Sequence, residues 1–112
     1  MKQIKSFKIF EGTEESVYRD CVNEEYYPAT LKQTGKLITQ GKIPKQWYNV
    51  AEVFVPFNIR KITKKECLDL KKFINTGGRV SSLGYWGSGY DFIASSRNVV
   101  NLSGRLVGVK FK

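Results

Sequence analysis

The order of apolar and polar positions divides the chain into short segments of two kinds. Ile4, Phe7, Ile9 and Phe10 stand among lysines and predict a first strand, closed by Gly12. Thr13 followed by Glu14 and Glu15 matches a helix start, because a threonine hydroxyl accepts from a free N–H of the first turn and acids there oppose the helix dipole. That helix runs to about Asn23, with Val17, Cys21, Tyr18 and Val22 inward and the acids on its wet face. Tyr26, Tyr27 and Pro28 interrupt the pattern. Thr30 then predicts the cap of a second short helix, which carries Leu31, Leu37 and Ile38 and ends near Gly41.

The run from Trp47 to Ile59 reads as a strand. Ala51, Val53, Val55, Phe57 and Ile59 fall on one side and Tyr48, Glu52 and Asn58 on the other, with Pro56 marking an edge or a bulge. Thr63-Lys64-Lys65-Glu66 has the spacing of a capping box, and Ile62 is placed to pack against Cys67. The helix it opens buries Cys67, Leu70 and Ile74, turns Lys64, Lys65, Lys71 and Lys72 outward, and stops at Asn75-Thr76-Gly77-Gly78. From Arg79 onward the period becomes two. Turn clusters at Gly87-Ser88-Gly89, Ser95-Ser96 and Ser103-Gly104 separate three or four antiparallel strands. The whole predicts one α+β domain over residues 1–112, a mostly antiparallel sheet of four to six strands with two or three helices packed on one face. No linker, repeat or low-complexity tract marks a second domain.

Charge changes this picture. Nineteen Lys and Arg against ten Asp and Glu give a net charge of +9. Residues 11–25 hold six acids and a single cation, whereas residues 26–112 hold 15 cations and only four acids, Glu52, Glu66, Asp69 and Asp91. Most of the chain is thus more basic than its total, which favours polyanions: nucleic acid, nucleotides, an anionic membrane surface or an acidic protein. A solvated lysine-rich surface is the plainer account of the same excess. The acidic segment is an internal alternative, able to cover part of the basic sheet.

The chain has no histidine, and its two cysteines, Cys21 and Cys67, are isolated, with no CxxC spacing. The commonest general base and the commonest metal ligands are therefore missing, so the expectation is a protein that is not an enzyme and binds no metal or cofactor. The acids form a helix face rather than a catalytic pair. The start of the chain lacks the apolar core of a leader, and no apolar run suits a membrane helix; the expected setting is the cytoplasm, without membrane association. Thr34-Gly35-Lys36 lacks the rest of a phosphate-binding loop, and the Gly84–Gly89 region lies between strands rather than at a helix start.

Two groups of residues carry candidate chemistry. Tyr85, Trp86 and Tyr90 flank a glycine loop and offer flat rings for stacking on bases, although alternate rings in a hairpin also serve as core. Arg60, Arg79, Arg97 and Arg105 stand near predicted strand ends, where the guanidinium fork suits phosphate; Asn98 beside Arg97 adds a neutral hydrogen-bonding group. With Lys64, Lys65, Lys71 and Lys72 these residues predict a binding module for an anionic, nucleotide-containing partner, nucleic acid first. The alternative is a small phage or mobile-element counter-defence protein that sequesters a phosphorylated nucleotide signal in an arginine and aromatic pocket, or inhibits a host protein by docking on it. A homodimer is compatible with a domain this small.

Overall fold

The computed structural model describes residues 3–85, 90–94 and 103–112, with the backbone alone at Tyr85 and at 90–94. In chain order the elements are β1 (Ile4–Thr13), α1 (Glu14–Asn23), β2 (Tyr27–Pro28), α2 (Leu31–Thr39), β3 (Tyr48–Val55), β4 (Asn58–Lys61), α3 (Lys64–Leu68), α4 (Leu70–Asn75), β5 (Arg79–Tyr85), β6 (Tyr90–Ala94) and β7 (Ser103–Phe111). The fold is α+β, as the sequence predicts. The main path of the sheet has five strands in the order β1-β7-β3-β5-β6, and the short β2 and β4 join it on β7 and β3. Pairing is antiparallel except for one parallel bridge, Asn49 to Leu106, between β3 and β7.

Alternation along the strands sorts side chains into two cores. On one face Phe10, Val53, Val80 and Leu106 meet Val17, Tyr18 and Cys21 of α1 and Cys67, Leu70, Phe73 and Ile74 of α3 and α4. On the other, Tyr48, Val50, Leu83, Val107 and Val109 meet Leu37 and Ile38 of α2. Three helices thus share one face, and α2 closes the second. Among the described residues no helix is long and apolar enough to cross a membrane.

The helices begin where threonines stand. Thr13, Thr30 and Thr63 each accept from the N–H three residues on, and the side chain of that residue (Ser16, Gln33 or Glu66) bonds back to the threonine N–H. The helix expected from Lys64 to Asn75 is divided. Asp69 leaves helical geometry at φ −139° and ψ 64°, and its carboxylate caps α4 by accepting from the Lys72 N–H. An aspartate at this point competes with its own helix through such local bonds, which the capping-box spacing alone does not reveal.

The strand expected over Trp47 to Ile59 is instead a hairpin. Pro56 has no N–H to donate to a ladder, and with Phe57 it makes a two-residue turn that pairs Val55 with Asn58. Phe57 therefore stands fully exposed, and Ile59 half exposed, rather than in a core. Because Val55 pairs with Asn58 and Phe54 with Ile59, the turn swaps which positions share a face, and Ile59 lies on the side of Phe54 rather than with Val53 and Val55. Ser103 and Gly104, expected as a turn, open β7 and pair with Thr13 and Gly12. Gly104 is needed for close approach: a Cβ there would lie 2.8 Å from the backbone N and Cα of Glu14.

That contact accompanies the burial of Glu14, which the sequence places on a wet surface. Its Oε2 accepts from Asn49 Nδ2 at 2.9 Å, while Oε1 has no partner. Asn49 also donates to the Ser81 carbonyl at 3.3 Å and accepts from the Arg105 N–H at 3.2 Å, tying α1, β3, β5 and β7 together. Burial pushes the Glu14 carboxyl above its ordinary range, and the Asn49 amide only partly offsets this.

Two outcomes follow from this junction. Gly104→Ala lowers stability by about 1–3 kcal/mol, read from denaturant unfolding, because rigid backbone and not a movable side chain blocks the added methyl. Since the folded state binds the Glu14 proton more tightly than the unfolded chain, this group's contribution to stability is greatest below the ordinary carboxylate pKa and is lost as pH rises through the raised one. Glu14→Gln removes that loss. Thermal melts should show the variant gaining on the wild type from mildly acidic to neutral pH; a difference independent of pH would refute the assignment.

Candidate functional site

The four lysines read from the sequence do lie on the outer side of α3 and α4. Their placement follows from the cap and the apolar spacing: Thr63 starts α3, and Cys67, Leu70, Phe73 and Ile74 turn inward, so that Lys64, Lys65, Lys71 and Lys72 are exposed. The two acids of this segment are already engaged. Glu66 closes the Thr63 cap and receives the Arg60 guanidinium through two bonds of 2.8 and 2.6 Å, and Asp69 caps α4. The guanidinium of Arg60, with help from the Thr63 cap, holds the Glu66 carboxyl below its usual range. This pair is partly exposed, so its contribution to stability is on the order of 0–1 kcal/mol.

Of the other acids with described side chains, all but Glu15 and Glu25 are similarly occupied. Glu24 takes Lys8 at 2.6 Å, Asp20 takes Arg19 at 3.3 Å, and Glu11 faces Arg105 at 3.9 Å. Glu52 accepts from the Leu31 N–H at the start of α2. Among the described residues none of Lys64, Lys65, Lys71 and Lys72 has an ion-pair partner. The acidic N-terminal segment thus neutralises cations on β1, α1 and β7, and leaves the α3–α4 lysines uncompensated.

At the start of α3 this surface meets a cleft of about 310 Å³. Lys64, Lys110 and Phe111 line it together with Tyr26, Tyr27 and, at its acidic side, Glu25. The Tyr27 hydroxyl donates to the Ile62 carbonyl, which fixes the ring beside the α3 cap. The Tyr26 ring packs edge-on against Phe10 at 5.7 Å and carries the Lys110 ammonium 4.4 Å from its centroid. The sequence reading did not single out Tyr26, Tyr27, Lys110 or Phe111. Only two adjacent tyrosines before a proline, at the end of a helix, mark half of this cleft in the sequence; the other half arrives through β7 pairing with β2.

The described arginines Arg60, Arg79 and Arg105 do not converge. Arg60 pairs with Val53 and lies on the face of α3 and α4, where its guanidinium stands 5.7 Å from the Phe73 ring. Arg79 pairs with Phe54 and so lies on the opposite face, exposed. Arg105 is held near the start of β3. It donates to the Trp47 carbonyl at 3.1 Å and lies 5.2 and 5.9 Å from the Trp47 and Tyr48 rings. Trp86, Arg97 and Asn98 lie outside the described residues. Tyr85 and Tyr90 are described in backbone only, as the last cross-strand pair of β5 and β6.

Cys21 and Cys67 are free and buried in the same core, and burial pushes each thiol up to about 12. Both are neutral thiols near pH 7. Among the described residues no group of three or more acids or cysteines stands together to hold a metal ion.

The site is therefore an open cationic surface with a ring-lined cleft at one end, suited to contacts with a chain of negative charges. No protein-family model matches the chain, and neither a curated protein nor a solved structure matches it at a significant level.

Proposed function

We propose that the chain is a non-catalytic nucleic-acid-binding module whose α3–α4 lysines contact phosphates. The observation that supports this most is the set of exposed lysines Lys64, Lys65, Lys71 and Lys72, without ion-pair partners among the described residues, in a chain most of whose described acids are committed elsewhere. A phosphate backbone displaces its own counterions when it meets such charges, and that release supplies sequence-independent affinity. Lys64 also borders the tyrosine cleft, where Lys110 and the Tyr26 and Tyr27 rings extend the surface beyond point charges.

A pocket for a small phosphorylated ligand would need convergent arginines. Arg60 and Arg105 are instead engaged within the protein, and Arg79 stands on the far face from Arg60. The polymer reading rests on fewer assumptions about the chain.

Fluorescence anisotropy against labelled single strands and duplexes at several salt concentrations tests it. Four phosphate contacts on a single strand give a log–log slope of about −3, and Lys64→Glu with Lys71→Glu should weaken binding by at least about tenfold and make the slope shallower by about 1.4. Absence of binding at low salt, or an unchanged slope in the double variant, would overturn the proposal.

A further inference from the structure

Phe57 occupies a position that neither its backbone nor its ring favours. It is the third residue of the β3–β4 turn, with φ at +66°, a left-handed conformation ordinarily filled by glycine or asparagine. Its ring is fully exposed. Folding gains nothing from a phenyl group here, and a smaller residue would relieve the backbone. Strain of this kind is kept where the surrounding structure holds it for a purpose.

The neighbourhood says what the purpose is. Pro56 fixes the turn, and Phe54, paired with Arg79 across β3 and β5, lies below it. With Gly77 these residues line a second open cleft of about 350 Å³, in which no acid takes part. One wall is phenyl, and another is an exposed guanidinium with no ion-pair partner among the described residues. Gly77 joins the cleft to the end of α4, the helix that carries Lys71 and Lys72.

Resting on the nucleic-acid reading above, we propose that this cleft takes one unpaired base of a single strand, stacked on Phe57 with Arg79 at a flanking phosphate. Any base presents a flat face to such a ring, so the contact is tolerant of sequence but needs a base free of its duplex. Gly77, two residues beyond the end of α4, borders the cleft, so a strand on Lys71 and Lys72 reaches the turn by passing round that end of the sheet to the face of Arg79. The lysines would then supply affinity for any phosphate chain, and the turn would supply the preference for single strands. A cleft with a lone projecting ring and a cation suits a planar base better than a folded protein surface, which needs a broader apolar contact.

The test is Phe57→Gly, which removes the ring while relieving the left-handed backbone, so the melting temperature should hold or rise. Anisotropy titrations compare the variant and wild type on a single strand, on the same strand with abasic sites, and on a duplex. Expected is a loss of about 5- to 150-fold on the base-bearing strand, the range for one stacked base, with little change on the abasic strand or duplex and no change in salt slope. Arg79→Ala should weaken single-strand binding and make its slope shallower by about one contact. Equal binding of wild type and Phe57→Gly to the base-bearing strand overturns the inference while leaving the lysine reading intact. If the wild type binds no strand at low salt, both fall. If Phe57→Gly leaves strand binding unchanged but releases a co-purified protein, the turn is a protein-docking site and the base-stacking inference is wrong.

Discussion

Two extra residues in β3, Ala51 and Glu52, separate the pairing of Val50 with Ser81 from that of Val53 with Val80. A bulge at the middle of a central strand exposes backbone groups that must find partners, since a buried unpaired N–H or C=O is costly. Here the partners come from β5 and from the segments that precede α2 and α3. The Ala51 N–H donates to the Ala29 carbonyl, the Ala51 carbonyl accepts from the Ile62 N–H, and the Glu52 carbonyl accepts from the Ser81 hydroxyl. The Glu52 carboxylate takes the Leu31 N–H at the start of α2. One irregularity thereby anchors the segment after β2, the start of α2 and the residue that precedes the α3 cap.

The bulge also arranges the surfaces. On its N-terminal side, β3 joins β5 and β7, and Asn49 links them through Glu14, Ser81 and the Arg105 backbone. On its C-terminal side, β3 pairs with β4 and β5, and the hairpin turns at Pro56 and Phe57. Ile62, fixed to Ala51, directs the chain into the Thr63 cap, and the buried stripe of α3 and α4 then decides which side of those helices faces water. The lysine surface and the Phe57 turn are thus both positioned from the same strand.

Charge distribution follows the same structure. The acids concentrated at residues 11–25 are near β1 and β7 partners, so Lys8, Arg19 and Arg105 take them up locally. Glu66 and Asp69 are drawn into caps by the short helices that contain them. What remains is a basic outer side on α3 and α4 whose lysines form no ion pair among the described residues, with Glu25 the one acid in the adjoining cleft, and such an excess acts on partners rather than on the fold.

Local chemistry was legible from residue order. Thr13, Thr30 and Thr63 announce their helices because a hydroxyl that accepts from the free backbone N–H three residues on acts within a single turn, whatever the rest of the chain does. The apolar stripe of Cys67, Leu70 and Ile74, and hence the outward lysines, follows from helical period alone. The hairpin within residues 47–59 was hidden because the apolar Phe57 and Ile59 continue the spacing of Val53 and Val55 even though the turn carries Ile59 to the other side, and the turn inferred at Ser103-Gly104 was a strand because Gly104 serves a contact with α1 rather than a bend. The burial of Glu14, the meeting of Tyr26 and Tyr27 with Lys64 and Lys110, and the separation of Arg60 from Arg79 depend on strand register across long stretches of chain. Residue order by itself determined the α+β class, the caps and the surplus of positive charge, which are sums of local preferences; only the tertiary structure decided which charges are neutralised and which rings are exposed, because those depend on which distant strands pair.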